Sequence, residues 1–229
     1  MPLHEESPAR TIAVSAALGG LGGIPGLGGL AGTIQGSIQA AARARDENFW
    51  AMVVARISSL EAWTEGVADL TDPEFLASAH RLFRVAQETS DDGKRTRLAA
   101  ALANAGPWCQ LPRDERERME RVIADLTTRE VGLLKILAGP GVWLRNADPE
   151  AFASYEWDFS GTFAEFLESR VARGERSEIV AVYSANDSLQ EMALVGLWDR
   201  GEVGRNRLFS SKVTSRGQNV LTYLESIGS

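Results

Sequence analysis

Hydrophobic residues recur at spacings of three and four through most of the chain after Arg43, and polar residues fill the positions between them. This period predicts a succession of amphipathic α-helices. The predicted helices begin near Asp46, Asp72, Lys94, Arg113, Thr128, Ser160, Ser188 and Thr214. The start at Asp72 is the clearest, because Pro73 and Glu74 follow this capping residue in the first turn. The pattern therefore predicts a mainly helical protein, with a helical bundle in its middle part.

The run 113–118 alternates basic and acidic residues at the start of one of these helices. Such mixed-sign runs are typical of a solvated helix face. The same helix has an apolar side made of Met119, Val122, Ile123 and Leu126. We therefore interpret the charged run as a solvated surface, and not as a patch that binds nucleic acid.

The C-terminal part, residues 127–229, combines helices with two short strands. A predicted helix over residues 188–200 precedes predicted strands at 202–209 and 211–213, and a final helix opens on the motif Thr214-x-x-Gly217. This order is the layout of a winged-helix domain, in which the helix that starts at Thr128 would be the first. The β-branched run 179–183 is compatible with a short strand or with a helical turn.

Before Arg43 the pattern changes, because residues 11–42 contain no charged side chain and nine glycines. About 20 apolar residues suffice to cross a bilayer, but each glycine costs about 1 kcal/mol relative to alanine in a helix. Three interpretations stay open: a segment that is mobile or folds on a partner, a membrane insert, or a cleaved secretory signal. Glu5 and Glu6 in the leading region argue against the signal.

The second half of this segment has a helical period after Pro25. Four apolar residues share one face, and three glycines stand four residues apart, a spacing that lets two helices approach closely. The predicted helix–helix contact residues are Leu27, Leu30, Ile34, Ile38, Gly28, Gly32 and Gly36. If the segment enters a membrane, Arg43, Arg45 and Arg56 after it keep the remainder in the cytoplasm.

Length and charge limit the remaining choices. The 229 residues suit one large or two small domains, and we predict an N-terminal segment over 1–45, a helical bundle over 46–126 and a winged-helix-like domain over 127–229. The net charge of −7 opposes nonspecific binding of nucleic acid by the whole protein. The single cysteine, Cys109, fits a reducing compartment.

One basic cluster stands out against this acidic background. Arg205, Arg207, Lys212 and Arg216 occupy the predicted wing and its exit, with no acidic residue between Val203 and Leu224. In a DNA-binding winged helix, this is where phosphates are contacted. The predicted recognition helix also carries acidic residues, which favours a solvated or protein-facing wing over a DNA contact.

Two stretches resemble a known family. The segment Leu102-Ala103-Asn104-Ala105, followed by the run from Leu126 to Leu134, is similar to the body of bacterial Abi-alpha-like abortive-infection proteins. The pieces between Leu197 and Gly217 resemble the winged-helix half that accompanies such bodies. The resemblance covers about residues 94–229. It implies a helical bundle with a winged helix and a defence context, and it implies no catalytic residues.

The sequence lacks the motifs of common enzyme classes. It contains no phosphate-binding Gly-x-x-x-x-Gly-Lys motif and no His-Glu-x-x-His motif. With only His4 and His80, a histidine-dependent triad or metal centre is not expected. Cys109 has no basic neighbour in sequence that would activate its thiol. We therefore expect no catalytic residues, no cofactor, no metal and no small-molecule substrate.

The function predicted from the sequence is that of a non-enzymatic bacterial effector or interaction protein. Its glycine-rich segment would form oligomers or bind a protein partner. The predicted location is cytoplasmic, with peripheral attachment to the inner membrane or insertion into it through this segment as an option. Two alternatives stay open: a winged-helix DNA-binding regulator, and a soluble adaptor whose N-terminus orders on a partner.

Overall fold

The computed structural model describes residues 28–58, 69–109, 111–155, 160–197 and 201–225, with side chains described from residue 41 onward. Contacts divide the chain into two units, Met1–Ala51 and Met52–Ser229. The described residues form eleven α-helices, one π-helical segment and two short strands, which confirms the mainly helical prediction.

The elements follow in chain order. They are α1 (Gly28–Ser58), α2 (Pro73–Glu88), α3 (Asp92–Ala103), α4 (Arg113–Asp125), α5 (Thr128–Ala138), α6 (Pro140–Ala147), α7 (Pro149–Ala153), β1 (Ser160–Thr162), α8 (Phe163–Phe166), the π segment (Leu167–Val171), α9 (Arg176–Glu191), β2 (Glu202–Gly204), α10 (Arg205–Leu208) and α11 (Ser215–Glu225).

Helix α1 runs without a break through Asp46, so it is longer than the helix predicted to start at that residue. The predicted helix start at Asp46 is therefore wrong. Alanines fill the stretch before it, and alanine has the highest helix propensity, so the sequence does not interrupt the helix there. Phe49, Val53 and Ile57, which are spaced four residues apart in α1, are all buried, whereas Val54 is exposed.

Helices α2 and α4 begin where the sequence predicts, and α3 begins at Asp92, two residues before the predicted Lys94. The Asp72 carboxylate accepts a hydrogen bond from the Glu74 backbone N–H at 2.8 Å, and Asp91 accepts one from the Lys94 N–H at 3.0 Å. These side chains satisfy N–H groups that have no partner within the helix. The three helices pack on one another.

The last helix, α11, closes this core by packing against α3, α4 and α5. Its buried residues are Val220, Leu221, Tyr223 and Leu224. The Asn104 side chain at the end of α3 donates a hydrogen bond to the Tyr223 carbonyl oxygen at 2.7 Å. The C-terminal helix and the central bundle therefore share one interior within the second unit.

The short strands pair differently from the prediction. Strand β2 is antiparallel to β1, with Gly161 opposite Val203, and residues 205–208 form a helical turn. Val213 instead makes an isolated antiparallel bridge to Val195. The predicted hairpin between residues 202–209 and 211–213 is therefore wrong. The Lys212 ammonium group donates hydrogen bonds to the carbonyl oxygens of residues 207 and 210. These bonds favour a compact turn over an extended strand.

Helix α9 replaces the helix predicted over residues 188–200. It starts at Arg176 and absorbs the β-branched run 179–183, because packing on α5 overrides local strand propensity. It ends at Glu191 in a Schellman motif: Ala193 has φ of 56°, and the Leu194 N–H bonds the Leu189 carbonyl at 2.9 Å. The predicted helix start at Ser188 is wrong, since Ser188 lies inside α9.

The motif Thr214-x-x-Gly217 begins α11 as predicted. The Thr214 hydroxyl accepts a hydrogen bond from the Gly217 N–H at 3.1 Å and lies 2.8 Å from the Ala193 carbonyl oxygen, to which it donates. A Cβ atom at Gly217 would lie 2.1 Å from the Leu194 carbonyl oxygen. Only glycine therefore allows α11 to approach the Leu194 backbone this closely.

Candidate functional site

The predicted helix–helix contact residues lie at the beginning of α1. Gly28, Gly32 and Gly36 belong to its helical backbone, while Leu27 lies outside the described residues. The side chains of Leu30, Ile34 and Ile38 lie outside the described ones as well. None of the helices in the described ranges has the length and hydropathy that a transmembrane span requires.

Lys212, the predicted phosphate contact, makes several interactions within its own segment. Its ammonium group donates to the Arg207 carbonyl at 2.6 Å, to the Ser210 carbonyl at 2.8 Å and to the Ser210 hydroxyl at 2.9 Å, and it lies 5.0 Å from the centre of the Phe163 ring. Burial lowers the pKa of Lys212, and the positive charge of Arg207 adds to this effect. The arrangement holds the chain after α10 in place.

Arg205 meets an arginine that the sequence analysis missed. The guanidinium carbon of Arg205 lies 5.2 Å from the centre of the Phe152 ring, and that of Arg145 lies 4.7 Å from the same centre. Phe152 in turn packs on Phe209 at 5.4 Å between ring centres. Arg145 lies far from the wing in sequence and in no repeating pattern, so only the fold could reveal this cation–π cluster.

The other two predicted contacts are exposed. Arg207 lies in α10 next to the Lys212 ammonium group, and Arg216 lies in the first turn of α11. The structure therefore brings Arg207 and Lys212 together and adds Arg145 to Arg205. The described contacts do not join Arg216 to either pair.

The exposed face of α9 carries a shallow depression that is open to solvent over most of its extent. This surface, called the α9 groove, has a volume of about 570 Å³ and is lined by residues of α9 alone: Ile179, Val180, Tyr183, Ser184, Asp187, Ser188 and Glu191. Val180 is 65% exposed, which is unusual for a large apolar side chain. The Tyr183 hydroxyl donates to the Glu168 carboxylate at 2.9 Å. Between Ser177 and Glu191 this helix carries no lysine or arginine.

The opposite face of α9 is fixed to α5. Arg129 donates two hydrogen bonds to the Glu178 carboxylate, at 2.5 and 3.2 Å, and these lower the pKa of Glu178. At the edge of the groove Ser188 faces Glu130 of α5, whose pKa is lowered: burial acts to raise it, but Ser188 and Thr127 outweigh this effect. Apolar residues of α9 complete the contact: Val182, Ala185 and Leu189 are buried. The helix therefore presents its groove from a firmly held position.

The sequence carried a signal for this groove. A helix over residues 176–191 has apolar residues on two faces, at 179, 180 and 183 as well as at 182, 185 and 189. One face suffices to pack against a bundle, so the second indicates a surface for another contact. The incorrect helix start at Ser188 concealed the pattern.

A buried ionic layer lies between α2 and α4, where the sequence predicted a solvated face. Glu120, 1% exposed, accepts a hydrogen bond from the Ser78 hydroxyl at 2.7 Å and forms an ion pair with Arg81. Arg116, 6% exposed, pairs with Glu74 and donates to the Leu111 carbonyl at 2.8 Å. The predicted exposure of the 113–118 run is wrong at Arg116, because α4 packs on α2 through this side.

Burial controls the ionisation of this layer. Desolvation raises the pKa of Glu120, although Ser78 and Arg81 partly oppose the shift. Burial also raises the pKa of Tyr223, whose hydroxyl has no hydrogen-bond partner among the described residues. The neutral phenol therefore persists at physiological pH. The described parts of the chain contain no group of three histidine, cysteine or acidic side chains arranged to hold a metal ion.

Comparisons with known proteins found no match: no family model, no curated protein and no solved structure matches the chain.

Proposed function

We propose that this chain is a non-enzymatic bacterial interaction protein that assembles through its glycine-rich N-terminal segment. Its helical body, with a winged-helix-like C-terminal half, would control that assembly. The resemblance to Abi-alpha-like proteins supports a role in anti-phage or stress defence. Contact with the inner membrane would follow assembly.

The observation that carries the proposal is the continuity of α1 from Gly28 to Ser58. Residues four apart on one helix share a face, so Gly28, Gly32 and Gly36 form a single stripe. Stripes of small residues let helix backbones approach closely enough for extensive dispersion contacts. A second helix of the same kind is the natural partner for such a stripe.

Three features support a winged-helix-like C-terminal half. Helix α5 stands first, α9 packs against it later in the chain, and the Val195–Val213 bridge precedes the Thr214 turn into α11. In this proposal α9, and not a helix over 188–200, would be the recognition helix. Its exposed face is apolar and acidic, which favours a protein partner over DNA.

The proposal is tested by filling the glycine stripe. The triple variant Gly28→Leu, Gly32→Leu and Gly36→Leu keeps or raises helix propensity, so a loss of assembly would report on the stripe and not on helix formation. We expect the full-length wild-type protein to form oligomers in analytical ultracentrifugation and the triple variant to be monomeric. Leakage from vesicles, where the wild type causes it, should disappear in parallel.

The matched control is Thr33→Leu with Ser37→Leu, which adds leucines to the same helix away from the glycine stripe. This control should retain the wild-type oligomer. A wild-type protein that stays monomeric at all concentrations, or a triple variant that still assembles, would contradict the proposal.

A second candidate function is DNA binding by the basic cluster. The observation that favours it is the pair of guanidinium groups, Arg145 and Arg205, held against Phe152. Arginine held on an aromatic ring still presents N–H groups to a phosphate. A salt-dependent gel shift, lost in Arg205→Glu with Arg207→Glu and kept in Arg118→Glu with Arg121→Glu, would establish this function. Absence of binding at low salt would exclude it.

A further inference from the structure

We infer that the α9 groove binds an amphipathic helix of a partner protein that carries lysine or arginine beside its apolar stripe. This site is separate from the glycine stripe and goes beyond the proposed assembly. The inference rests on the apolar residues of the groove, on its two carboxylates and on the way α9 is held.

The apolar part of the groove lies in the first half of α9. Ile179, Val180 and Tyr183 line it, and Val180 leaves most of its surface in water. Helices that lie in a groove bury residues at spacings of three and four against such a surface. Removing these side chains from water on binding supplies the non-directional part of the affinity.

The acidic part lies in the second half of the same face. Asp187 and Glu191 are one helical turn apart, both are exposed, and neither forms an ion pair with a described residue. Like charges at this spacing destabilise a helix. The C-terminal end of a helix also carries a partial negative charge, which makes carboxylates there less favourable still.

A basic partner would relieve both costs. Cations placed beside Asp187 and Glu191 would be attracted by the pair and by the helix end. The same carboxylates would repel DNA and anionic lipid. A second copy of this face would bring the carboxylate pairs together or bury them against Ile179 and Val180, so self-association through the groove is unfavourable.

Helix α9 is already ordered for binding. The Arg129–Glu178 ion pair and the buried side chains of Val182, Ala185 and Leu189 hold its inner face on α5. A surface that does not need to be ordered loses less conformational entropy when it binds. The partner helix would therefore bear most of the ordering cost.

The test uses two labelled helical peptides of about 15 residues, each with a leucine stripe, flanked in one by lysine and in the other by glutamate. Fluorescence anisotropy with the full-length protein should show binding of the lysine peptide alone. At about 1 M salt, where charges are screened within about 3 Å, the affinity should fall without disappearing. Absence of binding at low salt would overturn the inference.

Variants separate the groove from the general acidity of the protein. Asp187→Lys with Glu191→Lys should weaken binding about tenfold or more, which corresponds to about 1.4 kcal/mol. The control, Asp114→Lys with Asp125→Lys on the exposed side of α4, changes the net charge equally and should bind much more tightly than the groove variant. Equal weakening in both variants would show a nonspecific charge effect and overturn the inference.

Val180→Asp provides the decisive second variant. It adds negative charge to the groove, so a purely electrostatic contact would become stronger, whereas binding of an apolar stripe would become weaker. We expect weaker binding. Because Val180 is exposed, this change leaves the core intact, and the oligomeric state of the same samples should stay that of the wild type. Stronger binding would contradict the inference without touching the proposed assembly.

Discussion

Helices α4 and α5 each bury one glutamate, and the two carboxylates are perturbed in opposite directions. Glu120 of α4 has a raised pKa, whereas Glu130 of α5 has a lowered pKa. Burial is the largest single influence on both and acts to raise both. The difference lies in the hydrogen-bond donors that surround each carboxylate.

Glu130 lies in the first turn of a helix, where donors are plentiful. It accepts the Thr127 backbone N–H at 2.7 Å, and the Ser188 and Thr127 side chains also favour its charged form, so that these groups together outweigh its burial. Glu120 lies in the middle of α4, where every backbone N–H is used by the helix, so only side chains can help it. The position of each glutamate along its helix therefore decides whether its pKa is raised or lowered on burial.

The largest expected effect in this comparison comes from Glu120→Ala. Removing one member of a buried ion pair leaves Ser78 and Arg81 without their acceptor, and we expect a loss of about 3 kcal/mol in the free energy of unfolding. Urea denaturation would measure it. The control is Glu117→Ala on the same helix, whose ion pairs with Arg113 and Arg121 are exposed and should contribute far less. Equal losses would mean that burial of the Glu120 carboxylate has no structural role.

A smaller loss is expected for Glu130→Ala, about 1.5 kcal/mol, because the variant loses half of a capping box and leaves the Thr127 backbone N–H without the buried carboxylate that accepts its hydrogen bond. The matched control is Glu165→Ala, which removes the equivalent residue from the exposed Thr162–Glu165 capping box of α8. The Glu130 variant should unfold at lower denaturant concentration than the Glu165 variant. The reverse order would show that the buried position adds nothing to the cap.

The smallest expected effect is on the pH dependence of stability, to which Glu120 and Glu130 should contribute with opposite signs. The folded-state pKa of Glu120 lies above its usual value of 4.5, so its protonated form adds stability below that pH and the contribution disappears as pH rises through the shifted value. The folded-state pKa of Glu130 lies below 4.5, so its contribution is present above that value and disappears as pH falls.

Two glutamine variants would reveal these opposite signs. As pH rises from about 3 to about 7, the stability of wild type relative to Glu120→Gln should decrease, while the stability relative to Glu130→Gln should increase. Urea denaturation at several pH values measures both differences. Curves that move in the same direction would contradict the assignment of opposite pKa shifts.

Local signals predicted the helix starts of the bundle because they depend on neighbours in sequence. Asp72, Asp91 and Thr127 each cap a helix through atoms no more than three residues away. The amphipathic period likewise predicted the buried apolar side of α4 and its C-cap, which consists of Met119, Val122, Ile123 and Leu126. Such features are visible in any short window of the chain.

The remaining features depend on residues that are distant in sequence. Arg116 is buried because α2 supplies Glu74, forty-two positions earlier. Strand β2 pairs with β1 across the whole of α9, so a hairpin between adjacent segments was the wrong expectation. The cation–π cluster needs Arg145, Phe152 and Arg205 from separate elements. Tertiary packing decides such features, and no local period encodes them.

The close approach of α11 to the Leu194 backbone at Gly217, the Gly217 corner, has a consequence for recognising homologues of this chain. Any substituent on that α-carbon would collide with the Leu194 carbonyl oxygen, so a homologue that keeps this corner must keep glycine there. Overall identity can decay while this steric demand persists. A chain that shares this contact should therefore keep glycine three positions after the threonine, however far the rest of its sequence has diverged.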